Sequence, residues 1–401
     1  MNLIKVVHFR AVIEHYRVPI LRRLSKIPGI DFTVYAGDNR KSFHEQQVAT
    51  ARDVGKTEGI QWKKIKSFWT RWPVLMFWQP GAIKAALKEP MDAAIFSLPF
   101  RSLSGILVRL ICYIRGIPVV EWEQIVTHRK RGLKIQCKML WYRKAHAILP
   151  YGKFARNYLL KQGFQKNRIF VVGNSLDYEV QIAVRKALTE KDQKACRESF
   201  GASNPNDRLV FFSGRLNKQK RIDLLIKALA RLKKGGRRVF LVLIGEGRES
   251  ENLKSLSREM GLEDHVTFLG ANYDESRVGK IIFSCDLCVV PHAVGLIAVH
   301  SLVYGVPVLT SEVFRGDHGL EIEAVVEGIT GSFFQDNDLD DLLNKMEAML
   351  YPIPSRIRMS ENCQNMIDKA YTPARQERIF IKALNSCLPL NKQIEMPKRY
   401  P

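Results

Sequence analysis

A chain of 401 residues, 46% of them hydrophobic, is long enough for two buried cores rather than one. That apolar share and the mixed charge exclude a disordered chain, and no apolar run is long enough to span a bilayer. The net charge of +23 is unevenly placed: residues 1–175 hold 31 basic against 10 acidic residues, and the remainder 32 against 30. A near-neutral second half joined to a basic first half predicts that the first half faces something anionic, either nucleic acid or an anionic membrane. Seven cysteines are scattered without a disulfide framework, and no N-terminal signal peptide is visible, so the expected compartment is a reducing cytoplasm.

In chain order, residues 3–9 read as the first strand of a parallel sheet. A turn with Glu14, His15, Tyr16 and Arg17 follows, then a short helix and a second strand at 31–36. Residues 62–88 stand apart. They hold Trp62, Trp69, Trp72 and Trp78, four of the six tryptophans, with Lys63, Lys64, Lys66, Arg71, Lys84 and Lys88 and no acid. Aromatics that favour the headgroup region beside cations that attract anionic lipid form an interfacial membrane signature. A single-stranded nucleic acid could use the same interleaving, and a third reading packs the aromatics into the core. Pro73 and Pro80 exclude one continuous helix here.

Residues 93–96 and 117–120 read as strands around a helix from 102 to 115. A second basic block, 129–144, has seven cations, Trp141 and no acid, and is expected to form a helix beside the first patch. Residues 147–149 and 169–172 follow as apolar runs, the second leading into Gly173-Asn174-Ser175-Leu176-Asp177, and then one polar helix spans 179–200.

The next stretch carries the chemistry. A strand at 209–212 runs into Ser213-Gly214-Arg215-Leu216, then an amphipathic helix with Leu224, Ala228, Leu229 and Leu232, then a strand at 239–244 ending in Gly245-Glu246-Gly247. This is a βαβ unit with ligand-binding turns at the carboxyl ends of its strands. Gly214 permits close backbone approach, and Arg215 and Lys220 are two cations beside a helix start, suited to a diphosphate. The alternative is a solvated basic turn. Cys285 and Cys288 form a lone CxxC inside an apolar run; without a second ligand pair they read as core thiols rather than zinc ligands. Gly295 opens a helix, and Gly305 turns the chain into another strand.

Taken together, Gly214-Arg215-Leu216 with Lys220, Ile244-Gly-Glu-Gly247, Val266-Thr-Phe-Leu-Gly270, Gly295-Leu296, His300-Ser-Leu-Val-Tyr-Gly305-Val-Pro-Val308 and Glu327-Gly-Ile-Thr-Gly-Ser-Phe-Phe334 resemble the donor half of retaining glycosyltransferases of family 4. The resemblance implies the GT-B fold, α/β, with two Rossmann-like domains facing each other across a cleft. It implies an acceptor-binding domain over 1–175, a donor-binding domain over 176–370, and a last helix within 371–401 crossing back to the first domain before a frayed tail. Asn174 and Asp177 then mark the interdomain turn.

The implied activity is metal-independent, retaining transfer of a hexose-type sugar from a UDP- or GDP-sugar to a lipid-linked or cell-envelope glycan. It would act at the inner face of the cytoplasmic membrane, with no separate cofactor and no nucleic-acid partner. Arg215 and Lys220 would stabilise the departing diphosphate, and Gly214, Glu246, Gly295 and Leu296 would line the donor site. The family's Glu-x7-Glu pair falls on His292 and His300 here. A branch of the family carries histidine at the second place followed by an acidic phrase, which implies His300 as a donor ligand with Glu321 or Glu323 supplying a carboxylate. Glu123 or His128 would be the acceptor-side base. Rival readings are a nucleotide-sugar epimerase of the same fold and a binding protein that has lost catalysis with both carboxylates.

Overall fold

The computed structural model describes residues 3–37, 58–70, 76–98, 102–125, 133–313, 318–351 and 353–397. The chain forms two compact units, one of residues 1–175 with 373–401 and one of residues 176–372.

The first unit is built on strands β1 (Ile4–Arg10), β2 (Ile30–Gly37), β3 (Gln61–Ile65), a short hairpin of β4 (Phe68–Thr70) and β5 (Met76–Trp78), then β6 (Ala93–Ser97), β7 (Val119–Glu123) and β8 (Ala147–Pro150). Its main sheet has the order β3-β2-β1-β6-β7-β8 and is parallel throughout. Alternation along β1 sends Val6 to one face and Val7 and Phe9 to the other. One face is covered by helix Val18–Leu24 and the C-terminal helix Pro373–Asn385. On the other, helices Pro80–Lys88 and Leu103–Ile114 supply Ala82, Ala86, Val108 and Cys112 to the core, and helix Leu133–Lys144 supplies Tyr142.

The C-terminal helix is an integral layer of this unit. Phe380 meets Trp122 edge-on at 4.6 Å between ring centroids. Gln376 accepts from the Ser175 hydroxyl at 2.5 Å and donates to the Gly173 carbonyl at 3.0 Å. Arg23 pairs with Glu377 at 2.7 Å.

The tryptophan-rich segment is edge strand, hairpin and helix, and two of its expected anchors are already occupied. The Trp62 indole donates to the Ala36 carbonyl at 3.1 Å and packs against the core. Lys63 pairs at 3.2 Å with Glu89, the residue just past the acid-free window, and lies over the Tyr35 ring. Lys64 lies 5.0 Å from the centre of the Trp62 ring, Lys66 is exposed and Trp78 is half-buried. Trp69 pairs with Phe77 across the hairpin, while Arg71 and Trp72 lie outside the described residues.

The second unit repeats the plan with β9 (Arg208–Ser213), β10 (Val239–Ile244), β11 (Val266–Phe268), β12 (Leu287–Val290), β13 (Val308–Ser311) and β14 (Gly331–Phe334), in the order β11-β10-β9-β12-β13-β14. Helix Ile222–Lys234 buries Leu224, Leu225, Ala228, Leu229 and Leu232 against it, as their spacing requires. Where one helix was expected over 179–200 there are two, Tyr178–Ala187 and Glu190–Ser199. Thr189 accepts from Asp192 N–H while the Asp192 carboxylate takes the Thr189 N–H, and this capping box starts a new helix. Cys285 and Cys288 are both buried, and burial pushes their thiols well above the usual range.

Candidate active site

In the second unit, the strand order reverses between β9 and β12, the place where open α/β sheets bind ligands. The turn after β9 is laced to the turn after β10. Gly214 N–H donates to the Ile244 carbonyl at 2.9 Å and Leu216 N–H to the Glu246 carbonyl at 3.0 Å. The approach is so close that a Cβ on Gly245 would sit 1.9 Å from the Gly214 oxygen. Gly214 at φ 149° and Gly245 at φ 140° adopt backbone that side chains resist.

From this junction Asn217 caps a turn of 3-10 helix, its Oδ1 accepting from Lys220 N–H at 3.1 Å. The turn throws the Lys220 side chain toward β12, where its ammonium donates to the Ala293 carbonyl at 2.6 Å. Burial lowers the Lys220 pKa, the positive charge of Arg215 lowers it further, and the Glu321 carboxylate opposes both. Arg215 itself is half-buried.

The far wall is the segment after β12. Gly319 N–H donates to the Val294 carbonyl at 2.6 Å, and His318 Nδ1 accepts from Val294 N–H at 3.1 Å. A Cβ on Gly319 would meet the Gly295 Cα at 2.9 Å, so Gly319 serves close contact, whereas a Cβ on Gly295 would meet nothing within 4 Å. The short 3-10 helix Leu320–Ala324 then buries Glu321 and leaves Glu323 half-buried. Gly214, Arg215, Lys220, Gly295 and Glu321 are thus gathered at one sheet edge. His318 was missed by sequence reasoning; its only signal was its place beside the Glu321 phrase.

The other expected residues have contacts of their own. Glu246 is exposed and accepts weakly from Ala271 N–H at 3.4 Å. Leu296 is the N-cap of a helix of only seven residues, Ile297–Val303, and offers no side-chain cap. His300 does not stand free for a ligand. Its Nε2 is hydrogen-bonded to Glu275 Oε1 at 2.8 Å, and the Tyr304 hydroxyl donates to the same oxygen at 2.7 Å. That oxygen ties two helices together, and the charge and hydrogen bonds of His300 hold Glu275 below the usual carboxylate range despite its burial. His292 likewise faces Asp336, at 3.3 Å.

In the first unit Asn174 Oδ1 accepts from Arg17 at 2.8 Å, while Asp177, at the head of helix Tyr178–Ala187 in the second unit, makes no side-chain cap. Glu123 ends β7 with both oxygens engaged: Lys138 pairs with Oε1 at 2.7 Å and the Tyr142 hydroxyl donates to Oε2. Both oxygens of this expected acceptor-side base are thus engaged within the first unit. His128 lies outside the described residues. Among the described residues no group of three His, Cys, Asp or Glu side chains is arranged to hold a metal ion.

Residues 197–366 match the family described as glycosyl transferases group 1. A D-inositol 3-phosphate glycosyltransferase of Mycobacterium sp. (strain JLS) is 31% identical over 201 residues, 48% of this chain and 42% of that protein. The match therefore spans less than half the length of this curated relative. Anabaena HepE, crystallised with UDP and glucose, superposes with a TM-score of 0.69 at 16% identity, covering 96% of this chain and all of that one (100%). A glycosyltransferase from Rickettsia africae gives a TM-score of 0.73 at 13% identity, over 96% and 99% of the two chains. By sequence, residues 197–366 of the second unit are similar to the group 1 glycosyl transferases, and by structure the chain has the GT-B fold.

Proposed function

We propose that the protein is a retaining, metal-independent glycosyltransferase that takes a hexose-type sugar from a UDP- or GDP-sugar. The observation that carries this reading is the convergence of Arg215 and Lys220 at the β9 turn, opposite Glu321 and the Val294–Gly295 backbone. Departure of a nucleoside diphosphate develops negative charge at the leaving oxygen. Two neighbouring cations in a partly desolvated site would stabilise that charge. The lowered Lys220 pKa fits this role: its ammonium is partly desolvated beside Arg215 and gains when an anion arrives.

The acceptor is read as a lipid-linked or cell-envelope glycan presented at the inner face of the cytoplasmic membrane. The basic first half and the relatives' glycosyltransferase character support that reading. The test is turnover of labelled UDP- and GDP-sugars with and without chelator, followed by the anomeric configuration of the product. Transfer or slow hydrolysis by the wild type, lost in Arg215→Ala and kept with chelator, is the expected result. A sugar nucleotide isomerised without an acceptor identifies an epimerase instead. Nucleotide binding without any turnover favours a binding protein, the reading to which the histidines at 292 and 300 lend most weight.

A further inference from the structure

Helix Leu103–Ile114 of the first unit has an outward face that the fold leaves uncovered. Leu103 (41% exposed), Ile106 (38%), Leu107 (40%), Leu110 (49%) and Ile114 (78%) recur at helical spacing along one side. The opposite side, with Val108 and Cys112, is buried against the sheet. The helix is therefore apolar all round while only half of it is covered. Its single cation, Arg109, turns inward to a buried ion pair with Glu121 at 2.5 Å, so it places no charge on the outward face.

The flanking helices continue the pattern. Helix Pro80–Lys88 packs beside it and exposes Leu87 (58%) with Lys84 and Lys88. From helix Leu133–Lys144 the Trp141 ring lies 6.3 Å from that of Tyr113, and this helix exposes Leu140 (65%) with Lys144. None of the three helices contains an Asp or Glu. The result is an apolar strip rimmed by lysines.

We infer that this three-helix face docks on an anionic lipid bilayer, its leucines and isoleucines entering the headgroup boundary and its lysines meeting lipid phosphates. An apolar face alone would suit several partners. The rim decides: an interfacial helix gains from burial and from anionic lipid together, whereas a second copy would bring lysine rim against lysine rim. This deepens the membrane part of the function proposed above: the face keeps Lys84 and Lys88 of the tryptophan segment and adds the apolar side of helix Leu103–Ile114.

Sedimentation with vesicles of phosphatidylcholine, alone or mixed with phosphatidylglycerol, tests it on the full chain. The wild type should bind the mixed vesicles, bind neutral ones far less, and release at high salt. Leu110→Ser with Ile114→Ser should weaken binding by about tenfold or more, with an unchanged melting temperature because both side chains already face outward. Lys84→Gln with Lys88→Gln should lower the preference for phosphatidylglycerol. Binding of UDP and GDP, measured in parallel, separates this surface from the donor site. Vesicle binding without nucleotide binding leaves the surface standing and removes the transferase reading. A double-serine variant that sediments like the wild type overturns the inference. So does a wild-type dimer that the double-serine variant dissociates, since the strip is then a self-contact.

Discussion

Replacing Lys220 by Met separates what this side chain does for the fold from what it does for the ligand. The half-buried Lys220 side chain lies beside Arg215 and makes one hydrogen bond, to the Ala293 carbonyl at 2.6 Å. Losing that bond removes about 1.5–3 kcal/mol, the range for a charged donor, and losing the poorly solvated charge returns a similar amount. Net stability should therefore change by less than about 1 kcal/mol. A bound diphosphate breaks the balance, because the charge-assisted contact is worth about 1.5–3 kcal/mol and nothing replaces it. At 1.4 kcal/mol per decade, Kd for UDP or GDP should rise roughly tenfold to a hundredfold. The pH dependence has a definite sign. A lysine whose folded pKa is depressed binds fewer protons folded than unfolded, so stability rises with pH from that depressed value to the usual lysine value of about 10.4. The Met variant should lose that rise. Titration calorimetry with both nucleotides and thermal unfolding from neutral to alkaline pH measure the two effects. Unaltered nucleotide affinity in Lys220→Met, or collapse of the fold, refutes the assignment.

Three further outcomes are expected. His300→Ala should cost about 1–3 kcal/mol of stability, because Glu275 loses its main partner, while nucleotide affinity holds. Glu275 has a depressed pKa, so its contribution is present above the usual carboxylate range and lost as pH falls through it; the variant should be flatter in acid unfolding, and reduced affinity at full stability would return His300 to the donor site. Gly245→Ala puts a methyl 1.9 Å from the Gly214 oxygen at a φ of 140°, so denaturant titration should show a loss of more than about 1 kcal/mol together with nucleotide binding. Arg109→Leu should lose about 3–5 kcal/mol by stranding the buried Glu121, and the Arg109→Leu/Glu121→Leu pair should recover part of it; equal losses would show that the carboxylate finds water.

The second unit was the more legible half, because its signals are local. The period of helix Ile222–Lys234 and the glycines at 214, 245 and 295 can be read within a few residues of each other. What could not be read were partnerships between distant segments. Nothing in the sequence joins His300 to Glu275, Glu123 to Lys138 and Tyr142, or Lys220 to Ala293. A histidine or carboxylate looks equally available whether or not the fold has given it a partner. The same holds in the tryptophan segment, where the acid-free window ends one residue short of Glu89, which pairs with Lys63. The exposed strip on helix Leu103–Ile114 was hidden for another reason, since an apolar helix reads as core until the number of its covered sides is known.

The place of helix Pro373–Asn385 inside the first unit has a consequence for synthesis on the ribosome. The second unit is one continuous segment and can close as soon as it has emerged. The first unit is begun earlier but lacks the helix that brings Phe380 to Trp122 until the whole of the second has been translated. At roughly 5–20 residues per second that interval is on the order of ten to forty seconds. Throughout it the nascent chain carries an unfinished apolar sheet face, the surface on which a ribosome-bound chaperone would act. Truncation before residue 373 should therefore leave a soluble second unit attached to an aggregating first one.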